Sequence, residues 1–160
     1  MQESMVGLLT VKPSHRFVII AAEFNKLITA QLESGAREEL CKLGAKSGQI
    51  STIWVPGSFE IPTVAMAVAK KGGVSAIICL GCIIRGQTTH FDHVAATAAS
   101  GIAAIGPATG VPTIFGVITA DTQEQALDRA GLKMGNIGSH GAQAAVQMAN
   151  TMADIAKGTV

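Results

Sequence analysis

The stretch that decides the fold is Ala76-Ile77-Ile78-Cys79-Leu80-Gly81-Cys82-Ile83-Ile84-Arg85-Gly86-Gln87-Thr88-Thr89-His90-Phe91-Asp92. Ala76 to Leu80 is apolar at every position, without the alternation of a strand that has one wet face. It therefore reads as a strand buried on both faces of a parallel sheet. Gly81 to Asp92 leaves that strand through polar residues and leads into a helix beginning near Thr89.

Working outward, further apolar runs occur at Phe17-Val18-Ile19-Ile20-Ala21-Ala22, Ile50 to Val55 and Thr113-Ile114-Phe115-Gly116-Val117-Ile118. Helical patterns separate them. Ile28, Leu32, Ala36, Leu40 and Leu43 form one apolar stripe, and Gly44 is placed to cap its end. A second helix is expected from about Ser58 to Lys71, stopping at Gly72-Gly73. A third starts near Thr89, with Thr89 and Asp92 at capping-box spacing. A fourth starts near Asp121, where Asp121 and Glu124 repeat that spacing. A fifth runs from about Gly141 to Lys157. The alternation predicts one α/β domain over residues 1–160, a three-layer α/β/α sandwich around a four-stranded parallel sheet with right-handed crossovers. Residues 7–11, within an N-terminal segment of residues 1–15, would add an edge strand or an arm onto a neighbour.

The composition narrows the class. The 160 residues are 48% hydrophobic, 14% charged and 4% aromatic, against about 25% charged in ordinary soluble proteins. Such a chain is not of the disordered type. Twelve Lys plus Arg against eleven Asp plus Glu leave a net charge of +1, which offers no general attraction for nucleic acid or an acidic membrane. No run approaches the roughly 18 apolar residues of a membrane span. Met1 to Pro13 lacks a basic-then-apolar signal pattern, and three cysteines do not suggest a secreted disulfide scaffold. The expectation is a cytoplasmic protein that hides part of its apolar surface in a homo-oligomer. From His93 to Gly106 there is no charged residue. That helix should be covered on both faces, either by a second subunit or by the fifth helix, and the low total charge favours the subunit.

In an open parallel sheet, ligands bind where the loops leave the carboxyl ends of the strands. Those ends carry Glu23-Phe24-Asn25, Pro56-Gly57-Ser58-Phe59-Glu60-Ile61-Pro62, Gly81 to Asp92, and Thr119-Ala120-Asp121. Phe24 and Phe59 are flat apolar rings suited to a stacked heterocycle. Gly86, Gln87 and Thr88 precede a helix N-terminus, whose free N–H groups favour an anion, most often phosphate. His90 falls in the first turn, the setting for a general base or proton shuttle. A lone histidine more often packs or caps, but its place in this loop favours chemistry.

Other patterns are weaker. Cys79-Leu80-Gly81-Cys82 has the spacing of a redox pair, yet Cys79 belongs to a buried strand rather than a helix start. His90-Phe91-Asp92-His93 lacks HExxH spacing and has no completing ligands, so no metal is expected. Gly131 to Gly141 is glycine-rich without the lysine of a P-loop. Arg129 closes the fourth helix either as a C-terminal charge on the helix dipole or as a phosphate clamp.

Val55-Pro56-Gly57-Ser58-Phe59-Glu60-Ile61-Pro62, Ile84-Arg85-Gly86-Gln87-Thr88-Thr89-His90-Phe91-Asp92, Phe115-Gly116-Val117-Ile118-Thr119 and Gln125-Ala126-Leu127-Asp128-Arg129-Ala130-Gly131 together resemble the 6,7-dimethyl-8-ribityllumazine synthases of riboflavin biosynthesis. The similarity runs from about Arg16 to Ala156. It implies a flavodoxin-like sandwich that condenses 5-amino-6-(D-ribitylamino)uracil with 3,4-dihydroxy-2-butanone 4-phosphate, with no cofactor or metal. By the resemblance, Phe24 stacks on the pyrimidine. Ser58, Phe59 and Glu60 hold the ribityl chain, and Cys82, Ile83 and Ile84 lie beside the ring. Gln87 and Thr88 form the phosphate turn, His90 moves protons, Phe115 comes from an adjacent subunit, and Arg129 contacts the phosphate. The assembly implied is at least a pentamer, as a pentamer or a sixty-subunit shell. Where the family commonly reads Gly-Asn-Lys-Gly, this chain has Gly135-Asn136-Ile137-Gly138, leaving His140 or Lys133 to supply the positive charge. A lumazine or flavin carrier without catalysis is the competing reading; joint presence of His90 and Arg129 favours the enzyme.

Overall fold

The computed structural model describes residues 4–159. Four strands, β1 (Phe17–Ala22), β2 (Ile50–Val55), β3 (Ala76–Ile84) and β4 (Thr113–Ala120), form one parallel sheet in the order β2-β1-β3-β4. Helices α1 (Lys26–Lys42) and α5 (Ile137–Ala156) cover one face. Helices α2 (Ile61–Lys71) and α3 (His90–Thr109) cover the other. The short α4 (Gln123–Asp128) and a small antiparallel pair, β5 (Ala130–Leu132) and β6 (Gly135–Asn136), link β4 to α5.

The unbroken apolar run of β3 has a direct structural meaning. Ala76, Ile78, Leu80 and Cys82 enter the core under α1 and α5, whereas Ile77, Cys79 and Ile83 enter the core under α2 and α3. With both faces sealed there is no wet side to carry polar residues. The strand continues to Ile84, four residues past the apolar run Ala76–Leu80 from which it was read. The chain moves one way from β1 to β2 and the other way from β3 to β4. The loops after β1 and β3 thus diverge and open a crevice at the carboxyl edge.

Several local expectations are corrected. Residues 7–11 form no strand. They run along α5, where Asn150 Nδ2 donates to the carbonyls of Leu8 (2.7 Å) and Thr10 (2.9 Å), and Val11 N donates to Leu43 O (2.9 Å). Helix α3 is not tucked under α5, since the two lie on opposite faces of the sheet. From Ala96 to Ala108 its outward residues, among them Ser100, Ala103 and Pro107, are small and uncharged. Thr89 is the residue before α3, but at φ −73° and ψ 1° it is too helical to aim its hydroxyl at the first turn, and no side-chain cap forms. The cap of α4 is Thr122, one residue after Asp121; extended at ψ 157°, it accepts from Gln125 N at 3.2 Å. Helix α5 starts at Ile137 rather than Gly141, capped by Asn136 Oδ1 accepting from Ser139 N at 3.2 Å.

Candidate active site

A cleft of about 770 Å³ opens at the carboxyl edge, over the β1/β3 divergence. Phe24 enters from the end of β1. There Asn25 adopts the left-handed conformation (φ 59°, ψ 44°), which asparagine tolerates better than most residues. This sharp exit leaves the Phe24 ring 71% exposed on the cleft wall. The turn is tied down on both sides: Phe24 N donates to Pro56 O at 3.0 Å, and Asn25 Nδ2 donates to Cys82 O at 2.8 Å.

From the end of β2 come Ser58, Phe59 and Glu60, wound into a single 3-10 turn before Pro62 in the first turn of α2. Ser58 is buried because its hydroxyl sits directly over Gly81, where any Cβ would collide with it. Phe59 and Glu60 are exposed, and both line the cleft. The end of β3 supplies Cys82, Ile83 and Ile84, and the following loop supplies Gly86 and Thr88. His90 stands in the first turn of α3, its N–H facing Thr88 Oγ1 at 3.4 Å.

Nine of the twelve site residues expected from the sequence thus converge: Phe24, Ser58, Phe59, Glu60, Cys82, Ile83, Ile84, Thr88 and His90. Gln87, Phe115 and Arg129 do not line the cleft. Gln87 is in the loop and turned to solvent. Phe115 projects from the edge strand β4, 47% exposed. Arg129 ends α4 with its guanidinium on Gln125 O at 3.0 Å. Phe91, His93 and Val94 were missed, although His93 and Val94 repeat the face of His90 at helical spacings of three and four. Among the described residues no lysine or arginine lines the cleft, and Glu60 is the one carboxylate that does.

Arg85, quoted in the sequence motif but given no role there, is fixed on three sides. Its Nε donates to Asp121 Oδ1 at 2.9 Å and its Nη1 to Asp92 Oδ1 at 3.3 Å. The guanidinium carbon lies 4.3 Å from the centre of the Phe91 ring. The hydrogen bond to Asp121, with the nearby Asp92 charge, raises its already high pKa further.

The thiols are arranged against redox chemistry. Cys79 and Cys82 point into opposite cores, as strand residues three apart must. Burial pushes their pKa values up to about 12 and about 11, whereas a reactive thiol needs a lowered one.

The sequence model of the family described as 6,7-dimethyl-8-ribityllumazine synthase matches residues 14–153. The chain belongs to the 6,7-dimethyl-8-ribityllumazine synthase family. Lumazine synthases are enzymes that form 6,7-dimethyl-8-ribityllumazine in riboflavin biosynthesis. The matched span holds every strand and the whole cleft, and it leaves the N-terminal arm up to Pro13 outside. Against the family's Gly-Asn-Lys-Gly, Ile137 opens α5 with its side chain packed on the α1/α5 core. The His140 ring lies against Gly135, and neither His140 nor Lys133 lines the cleft. No helix among the described residues is long and apolar enough to cross a membrane.

Proposed function

We propose that the carboxyl-edge cleft is where this lumazine synthase family member joins its two substrates, with His90 as the proton shuttle. The observation that carries the reading is the meeting of His90, at a helix N-terminus, with the exposed rings of Phe24 and Phe59 in one cleft. Phe24 stacks on the pyrimidine, Ser58, Phe59 and Glu60 hold the ribityl chain, and Cys82, Ile83 and Ile84 bound the ring. Gln87, Thr88 and the start of α3 face the phosphate.

The chemistry asks for orientation and proton movement rather than a strong nucleophile. The pyrimidine's primary amine adds to the ketone and loses water as the imine forms. A proton then leaves carbon, phosphate departs by β-elimination, and the ribitylamino nitrogen closes the ring with loss of a second water. His90 is placed to take and return the protons.

A phosphate needs positive charge, and no lysine or arginine among the described residues lines the cleft of one chain. Arg129 and Phe115 therefore complete the site of a neighbouring copy in a homo-oligomer, a pentamer or a larger shell, working in the cytoplasm. The uncharged outer side of α3 is the surface available for such a contact. Arg129→Ala, assayed by growth of the lumazine chromophore, should raise KM for the phosphorylated substrate about tenfold or more, the cost of one charged hydrogen bond. Unchanged saturation by that substrate would remove Arg129 from the site.

A further inference from the structure

We propose that Arg85 is a positioning residue, one that sets the first turn of α3 and so aims the His90 imidazole; the proposal rests on His90 being the proton shuttle. Helix α3 begins without side-chain capping, for Thr89 makes no cap bond. The hydrogen bond from His90 N to Thr88 Oγ1 is long at 3.4 Å. Something else must fix the direction in which the first turn leaves the loop, because the intervening Gly86 has no Cβ contacts to restrain it.

Arg85 meets that need from outside the cleft. Its backbone is anchored by Arg85 N donating to Ala120 O at 2.9 Å, at the rigid end of the sheet. Its side chain then grips the two residues that follow His90. The guanidinium stacks 4.3 Å from the Phe91 ring centre and donates to Asp92 Oδ1 at 3.3 Å. Phe91 is buried while Arg85 and Asp92 are exposed, so the clamp spans from core to surface across the turn that carries His90. The bond to Asp121 Oδ1, at 2.9 Å, holds the fork itself in place. Asp121 is fixed in turn, its N–H donating to Gln125 Oε1 at 2.9 Å. Exposed ion pairs add little to folding stability. Their effect here falls on geometry, where a small misplacement of a catalytic group costs far more in rate than in stability.

The two aspartates separate this role from a structural one. Asp121 makes the shorter bond and follows β4, outside α3, whereas Asp92 makes the longer bond and belongs to α3. If Arg85 acts by aiming His90, the kcat losses follow membership of α3 rather than bond length.

The test is steady-state kinetics by chromophore growth, with melting temperatures, for Arg85→Met, Arg85→Lys, Asp92→Asn, Asp121→Asn and His90→Ala. Arg85→Met should lower kcat on the order of tenfold, with KM for the pyrimidine within about twofold and melting shifted by no more than about 4 °C. Arg85→Lys, which keeps the charge but loses fork and stacking, should fall between Arg85→Met and the native enzyme and serves should Arg85→Met not fold. Asp92→Asn should lower kcat more than Asp121→Asn. A kcat within about twofold of the native value for Arg85→Met, or a larger loss for Asp121→Asn than for Asp92→Asn, overturns the positioning role while leaving a slow His90→Ala to support the shuttle. Native turnover in His90→Ala overturns both.

Discussion

Gly81 lies on β3 at the point where the Ser58 hydroxyl rests against the strand. A methyl group there meets that hydroxyl before it meets anything flexible, since Ser58 is held in a 3-10 turn against the sheet. Gly81→Ala should therefore lift the Ser58–Glu60 turn from the cleft wall and cost about 1–3 kcal/mol, as overpacking does. A urea midpoint and KM for the pyrimidine both report it. The buried thiols give a second residue-scale expectation. At pH 8, alkylation of the folded protein should modify Cys41, which is exposed, and spare Cys79 and Cys82. Because their folded pKa values are raised from 9.0 to about 12 and about 11, the stability they contribute is complete below pH 9. It is lost as pH climbs through 11 to 12. Mass spectrometry showing three modified cysteines at pH 8 in folded protein would contradict the packing of β3.

At the scale of elements, the crossing of α1 and α5 depends on two backbones coming close. A Cβ at Gly138 would collide with the carbonyl oxygen of Leu32. Alanine gains up to about 1 kcal/mol over glycine in helix propensity, but a backbone oxygen inside a helix cannot move aside, so Gly138→Ala should destabilise by about 1–3 kcal/mol. Gly106 in α3 is the opposite case. Its nearest neighbour would be Val111 O at an ordinary 3.6 Å, and Gly106→Ala should stabilise by about 0.5–1 kcal/mol. Thermal or urea unfolding of the pair gives the two signs directly.

The same glycines explain what the sequence did and did not disclose. The strands were legible because burial on both faces leaves an unbroken apolar run. The start of α5 was not, because Gly138 and Gly141 look like helix breakers until their neighbours are known, the Leu32 carbonyl of α1 for one and Ile78 and Ile114 of the sheet for the other. The caps of α3 and α4 were misread for a related reason: spacing names candidate residues, but the backbone angle of Thr89 or Thr122 decides which one caps. In the cleft, Phe24, Ser58 and His90 announced themselves by position after their strands. Arg85 could not, since the fork that meets Phe91 and Asp92 is held by Asp121, 36 residues away, in a geometry no spacing encodes.

Across the whole molecule, the order β2-β1-β3-β4 gathers three separate loops onto one cleft. It leaves Phe115 and Arg129 outside that cleft on the β4 side. The low charge content acquires a place from this: the uncharged outer stripe of α3 is surface that a second copy can cover while bringing those two residues to a neighbour's substrates. On this reading the catalytic unit is larger than the chain, with His90 the group at its centre. The most direct measurement is the initial rate of lumazine chromophore growth when purified protein meets both substrates, for the native chain and His90→Ala side by side. The native rate should stand well above the spontaneous reaction, and His90→Ala should be slower by about a hundredfold, the usual scale of a lost proton shuttle. Equal rates for the two proteins, or a native rate no faster than the spontaneous reaction, would contradict it.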